Sequence, residues 1–341
     1  MTRMLVAAAL TVISTLVVAQ GTCMAQSMEG RPHLGLHHAA ITVSDIDATV
    51  SFYSKAVTYK IVRRYRVNGA AFPKSLFSTR HRQVEIALVE MPTGYIQLMD
   101  FEPRKASEPN GRPLEAPGYN HICFQSSSKD PAIFRFIAAG LQVISRFGKP
   151  DGVDIGGYGV RYAYGRDPDG IMIENESLDA PRRNEASWTT HVANVVHNRD
   201  NMVAFYEKLL AHKAHRTIEQ EHRPRLDDVT SIDNLAIRGG WLNVGNMDIE
   251  VWQYVRPETP APTGKRKLDE IGYNAFSLEV TDLKAEQTRL KALDIEFAGP
   301  AMTVGGWKVQ YAYDPEGNLF SVQQAMAAGK EHSVKRLAAL R

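Results

Sequence analysis

Two stretches of the 341-residue chain align with each other without a gap. LHHAAITVSDIDATVSFYSKAVTYK, Leu36 to Lys60, returns as THVANVVHNRDNMVAFYEKLLAHK, Thr190 to Lys213. The alignment sets His38 on His191, Asp47 on Asp200, Phe52 and Tyr53 on Phe205 and Tyr206, and Lys60 on Lys213, each pair 153 residues apart. A duplication at this scale constrains the fold before any motif is read, because both copies must bury the same apolar face in the same way.

Inside the first copy, Leu36 to Val43 reads as a strand with Ala39, Ile41 and Val43 on one face and His38, Ala40 and Thr42 on the other. Ser44 and Asp45 punctuate, and Ile46 to Val57 carries Val50, Tyr53 and Val57 at helical spacing. Strand candidates follow at Lys60–Val67, Val84–Glu90 and Tyr95–Phe101, so the unit is βαβββ. A second unit opens at Gly118–Gln125 and closes at Arg161–Ser177; a third begins near Ser187 and closes at Asn246–Tyr254; a fourth opens at Gly272–Glu279 and closes at Tyr311–Gln324. The second and fourth echo each other, Gly118-Tyr119-Asn120 against Gly272-Tyr273-Asn274 and Asp167-Pro168 against Asp314-Pro315. Proline-rich linkers lie at 103–117 and 257–267. The expected fold is α+β, with four βαβββ modules in two tandem pairs, a first domain over 34–180, a second over 187–326 and a tail over 327–341 whose Glu331–Arg341 stretch reads as a short surface helix.

Alternation also sorts the polar residues. His38, Gln97, His121 and Glu174 each stand opposite apolar neighbours that need a helix over them, so all four project from the uncovered face of their strands. Two imidazoles, a carboxylate and an amide oxygen form a ligand set for one divalent ion. Donors of this kind, without thiolate, suit Fe, Mn, Ni, Co or catalytic Zn. The same positions in the second half are His191, Glu250, Ala275 and Ser321, and alanine cannot coordinate. One metal site in the first half, and an eroded second half, is therefore the expectation.

These residues resemble the vicinal oxygen chelate superfamily, which includes glyoxalases, methylmalonyl-CoA epimerases, extradiol dioxygenases and the bleomycin and fosfomycin resistance proteins. HHAAITVSDIDATVSFY is similar to the family's opening strand and helix, GYNHICF to its second histidine strand, and DPDGIMIE to its closing carboxylate strand. The resemblance implies that each pair of modules forms a U-shaped mixed sheet, with helices outside, around one divalent metal. It implies a small-molecule substrate whose two neighbouring oxygens bind that metal, and isomerase or lyase chemistry through a metal-stabilised enediolate. His38, His121 and Glu174 match the ligands of extradiol dioxygenases, and Gln97 a fourth position used in glyoxalases and epimerases. Tyr164 resembles the tyrosine near the iron of extradiol enzymes. Glu174 and Glu85 are candidate bases, with Tyr164 as a hydrogen-bond donor. Fe(II)-dependent ring cleavage and ligand binding without turnover stay open as alternatives, as does a homodimer.

Composition bounds partners and compartment. A net charge of +2 with no long basic run points to neither nucleic acid nor an anionic membrane surface. Arg3 precedes an apolar run from Met4 to Ala19, and Cys23-Met24-Ala25 offers small residues for cleavage, so residues 1–25 read as a secretory signal peptide and the protein as secreted or periplasmic. Of the two cysteines, Cys123 alone then remains, and no intrachain disulfide is expected.

Overall fold

The computed structural model describes residues 28–107, 110–146 and 151–338; the expected signal peptide lies outside them. The first module comprises β1 (Gly35–Thr42), α1 (Ile46–Tyr53), β2 (Lys60–Asn68), β3 (Gln83–Glu90) and β4 (Tyr95–Glu102). The second comprises β5 (Gly118–Ser127), α2 (Ala132–Ala139), β6 (Gln142–Val143), β7 (Val160–Arg166) and β8 (Met172–Leu178). The third comprises β9 (Trp188–Val195), α3 (Arg199–Leu210), β10 (Arg216–Glu221), α4 (Pro224–Thr230), β11 (Ala236–Asn243) and β12 (Asp248–Arg256). The fourth comprises β13 (Gly272–Glu279), α5 (Leu283–Ala292), β14 (Met302–Val304), β15 (Trp307–Tyr313) and β16 (Leu319–Ala325), followed by α6 (Val334–Ala338). Asp45 caps α1 as the punctuation there implies, accepting from Ala48 N, and Asn198 and Asp282 cap α3 and α5 in the same way, accepting from Asn201 N and Ala285 N.

The α+β class, the four modules and the two mixed eight-stranded sheets are those the sequence implies. Which modules share a sheet is different. One sheet runs β14-β15-β16-β13-β1-β4-β3-β2 and the other β10-β11-β12-β9-β5-β8-β7-β6. Module one therefore pairs with module four through antiparallel β1 and β13, and module two with module three through antiparallel β5 and β9. The repeat makes modules one and three equivalent and modules two and four equivalent, which both arrangements satisfy; alternation assigns a residue to a face and says nothing of its partner strand.

The alternating apolar positions behave as read. Ala39, Ile41, Ile122, Phe124, Ile173, Val192, Ile249 and Phe276 join residues of the helices in one core covering the outer faces of both sheets. The inner faces carry two smaller clusters, one around Phe72, Met99 and Tyr311 and one around Tyr164, Leu226 and Tyr254. The second inner face is closed at one side, where Arg146 N donates to Asp228 O at 2.7 Å and Arg225 Nη1 to Asp154 O at 2.8 Å, joining the α4 segment to the β6–β7 edge. α6 is the short surface helix expected: Val334 and Leu337 are buried, Lys335 and Arg336 are exposed, and Val334 N donates to the Glu279 carboxylate.

Two repeated features bolt the sheets together. Tyr53 of α1 donates its hydroxyl to Asp167 Oδ2 at 3.0 Å, and Tyr206 of α3 does the same to Asp314 Oδ2 at 2.9 Å. Burial pushes the Asp167 carboxyl up to about 7 and that of Asp314 to about 6, against the hydrogen bonds each accepts. A folded-state value above the unfolded one means that the folded chain holds the proton more tightly, so stability falls as pH rises from about 4 through about 7. Asp167→Asn cannot ionise. Its stability relative to the parent is expected to improve between pH 5 and pH 7, by at most about 1.4 kcal/mol per pH unit. Urea midpoints of both proteins at the two pH values measure this, and parallel changes in the two would contradict it.

A third seam joins modules one and four. His81 Nε2 lies 2.8 Å from Asp269 Oδ2, both side chains fully buried, and Asp269 also accepts from Ser78 N at 2.8 Å and Ser78 Oγ at 2.6 Å.

Candidate metal centre

β5, β8, β9 and β12 lie side by side in the second sheet, and each presents one strong donor to its inner face: His121, Glu174, His191 and Glu250. All four are buried, and one ligand atom from each lies within 4.8 Å of the others. His191 Nε2 is 2.8 Å from Glu174 Oε2 and 3.1 Å from Glu250 Oε2, while His121 Nε2 stands 3.5 Å from both. The centre is assembled half from the first repeat and half from the second.

The hydrogen bonds around it determine what it accepts. Asn120 Nδ2 donates to Leu114 O at 3.2 Å, which turns Asn120 Oδ1 toward His121 Nδ1 at 2.9 Å. An amide oxygen only accepts, so the His121 proton sits on Nδ1 and Nε2 presents a lone pair to two carboxylates. His121 Nε2 and Glu250 Oε2 are both buried without a hydrogen-bond partner. Two inward carboxylates and the His121 lone pair, met by the donor His191 Nε2, call for positive charge, which a cation supplies directly and protons on the imidazoles supply in its place. Burial would lower His121 and His191, but the two glutamates outweigh it and raise both. Burial would likewise raise Glu174, but His121 and His191 carry it down to about 2, and Glu250 is depressed in the same way. Two nitrogens and two carboxylates without thiolate fit the hard and borderline divalent ions expected from the sequence.

His121 and Glu174 are thus brought together as expected, and two of their expected companions are not. His38 and Gln97 lie on the other sheet, β1 and β4, because module one pairs with module four. There His38 Nδ1 is 2.8 Å from His37 Nδ1, and His37 Nε2 is 2.9 Å from His332 O. Burial pushes His38 down to about 3, so the ring is neutral at ordinary pH. A small cavity beside it is lined by His38, Gln97, Tyr311 and Gln323, with no carboxylate on its wall. Its equivalent positions are the eroded ones: Ser321 is hydrogen-bonded to Ser277 and Ala275 is buried. The degenerate face is real, but it belongs to modules one and four, not to the second half of the chain. His191 and Glu250, assigned from sequence to an incomplete second set, complete the first.

Glu85 is also removed from the site. It faces the helix side of β3, where Arg64 Nε and Arg66 Nη2 pair with it at 2.5 and 3.0 Å and, against its burial, hold its carboxyl below the usual range. Tyr164 stays: its ring centroid is 5.6 Å from that of His121, and burial together with the Glu174 charge raises its hydroxyl well above the usual range. Two residues beyond Glu174 and on the same face, Glu176 accepts from Gln125 Nε2, whose amide oxygen accepts from Trp188 Nε1 at 2.8 Å. Cys123, the free cysteine among the described residues, lies buried beside Glu174 and Glu176.

Paired βαβββ modules around a buried cluster of two histidines and two glutamates, a set able to hold a metal ion, define the class of protein. The chain belongs to the Glyoxalase/Bleomycin resistance protein/Dioxygenase superfamily, whose model matches residues 35–175 and 188–322. Its fold is similar to that of glyoxalase I from Zea mays, with a TM-score of 0.57 and 16% identity over 89% of this chain and 95% of that one. A mutant form of the same Zea mays enzyme superposes with a TM-score of 0.58, at 16% identity over 85% of this chain and 93% of that one. A virulence protein of Salmonella typhimurium is 29% identical over 145 residues, which is 41% of this chain and 81% of that protein.

Proposed function

We propose that the protein is a divalent-metal-dependent enzyme of glyoxalase or epimerase type, an isomerase or lyase acting on a small substrate with two neighbouring oxygens, and that it works outside the cytoplasm after loss of residues 1–25. The observation that carries this reading is the buried quartet of His121, Glu174, His191 and Glu250, whose ligand atoms converge within 4.8 Å and two of whose atoms lack a hydrogen-bond partner. A divalent ion held by these four residues supplies a Lewis acid for the paired oxygens of the substrate. The chain supplies the proton transfer. Glu174 Oε2 is tied to His191 at 2.8 Å, whereas Glu250 Oε2 is less firmly held, so Glu250 takes the proton from the carbon beside the chelating oxygens and Glu174 stays with the imidazoles. Tyr164 lines the same face and donates a hydrogen bond to substrate oxygen.

Ring cleavage by Fe(II) is the second reading, supported by Tyr164 beside His121. It is less favoured because that chemistry uses two histidines and one carboxylate with open positions, and a second carboxylate occupies one of them. Elemental analysis after reconstitution, with an oxygen electrode and a hemithioacetal isomerisation assay, separates the readings. One divalent ion per chain and turnover without oxygen uptake are expected; oxygen uptake with catechol supports the second reading, and tight ligand binding without product supports a binding protein. Tyr164→Phe is expected to keep the metal and lose about tenfold in turnover, a fraction of what a positioned proton donor supplies. An unchanged rate would remove Tyr164 from the site.

A further inference from the structure

The inner face that holds the quartet also carries a row of three residues leading away from it. Arg216 on β10 pairs with Trp241 on β11, and Trp241 pairs with Glu250 on β12. All three point inward, since the alternate residues Glu219 and Arg238 meet α3 residues on the other side. With adjacent strands about 4.8 Å apart, the backbone of Arg216 stands roughly 10 Å from that of Glu250.

The charge environment of Arg216 differs from that of its hairpin neighbour. Arg238, on the same hairpin but facing outward, pairs with Asp200 at 2.9 Å and with Glu219 at 3.0 Å. No carboxylate among the described residues lies within ion-pair distance of Arg216; its guanidinium is instead held 4.5 Å above the Trp241 ring. Trp241 and Trp252 meet edge to face with centroids 5.2 Å apart over Gly239, where an added Cβ would come within 2.8 Å of Trp252 and 3.0 Å of Trp241. Trp252 Nε1 is buried with no hydrogen-bond partner, a donor waiting for an acceptor. At the opposite edge of the sheet, the Tyr158 hydroxyl lies 3.0 Å from that of Tyr162 on β7.

We propose that Arg216, with Trp241 and Trp252, forms a subsite for an anionic group of the substrate, a carboxylate joined by a flat apolar spacer to the two chelating oxygens. A stacked guanidinium is preorganised for a planar bidentate anion, and the indole faces cover the spacer. This rests on the metal-centre reading above and specifies the substrate class for it.

The test uses the metal-loaded protein and three probes: catechol, 3,4-dihydroxycinnamate and its methyl ester, with binding followed by calorimetry. Catechol presents the chelating oxygens alone, and the acid and ester differ only in charge. The parent is expected to bind the acid about 10- to 100-fold more tightly than the ester, and Arg216→Gln to abolish that difference while leaving ester binding and metal content unchanged. Arg216→Lys is expected to recover part of it, since it restores the charge without the planar fork. Catechol binding with equal affinities for acid and ester, or a preference that survives Arg216→Gln, overturns the subsite alone. Failure of the metal-loaded parent to bind catechol overturns the chelate reading beneath it.

Discussion

His191→Ala is expected to lose the bound divalent ion and all measurable turnover, whereas His38→Ala and Gln97→Ala keep the parent's metal content. The first change deletes one of two strong nitrogen donors and leaves Glu174 and Glu250 buried against each other, with only His121 between them. The affinity lost should exceed the roughly 10- to 100-fold that changes merely adjoining metal ligands bring. The other two changes fall on a different sheet, in a neutral network. Elemental analysis of reconstituted proteins reads the result directly. His191→Gln, closer in size and able to hydrogen-bond to the carboxylates, guards against a variant that fails to fold. Retention of full metal in both His191 variants, or its loss in His38→Ala, would sink the assignment of the centre to the second sheet.

That comparison marks the boundary of what the sequence makes legible. The repeat, the βαβββ unit, the faces on which His38, Gln97, His121 and Glu174 stand, and the punctuation at Asp45 all follow from local pattern, periodicities of two and 3.6 and the residue that breaks them. The partner of each module is not local. His38 and His191 occupy equivalent positions in their modules, so nothing near either one says which of them faces His121. The signal that does separate them is the tally of strong donors: module two has His121 and Glu174, module three has His191 and Glu250, and their combination replaces the weak amide of Gln97 with a second carboxylate. Glu85 departs from expectation for another reason. Its strand stands where alternation puts it, but a carboxylate can occupy a helix-covered face when Arg64 and Arg66 reach it there.

Removing the His81 imidazole is expected to destabilise the protein by about 1.5–3 kcal/mol, because a buried carboxylate loses a donor at 2.8 Å and keeps only Ser78, Thr79 and, at 3.5 Å, Lys105. Asp269 is that carboxylate. Burial raises its carboxyl, and the hydrogen bonds from Ser78 and His81 outweigh this and bring it to about 2. Depressed below its unfolded value, it contributes stability that is fully present above about pH 4 and is lost as pH falls toward 2. Asp269→Asn should therefore cost the most near neutrality and progressively less in acid, and His81→Ala, which removes a donor to the same carboxylate, should follow the same trend. The positions bridge the loop after β2 and the linker before β13, where Leu268 N also donates to Leu76 O at 2.8 Å. Denaturant midpoints at pH 3 and pH 7 check both variants; a pH-independent cost for Asp269→Asn would show that the hydrogen bonds matter and the charge does not.

The arrangement of modules has a bearing on how such a chain can be divided. The peptide between β8 and β9, around Pro181 to Asn184, separates the two repeats in sequence, yet β5 and β9 on either side of it are neighbours in one sheet. Each half contributes four strands to each eight-stranded sheet, and two of the four donors to the centre. Neither half is a self-sufficient unit. A break at that peptide is expected to yield fragments each lacking half the strands of both sheets and two of the four donors, so that each needs the other to complete sheet and centre alike.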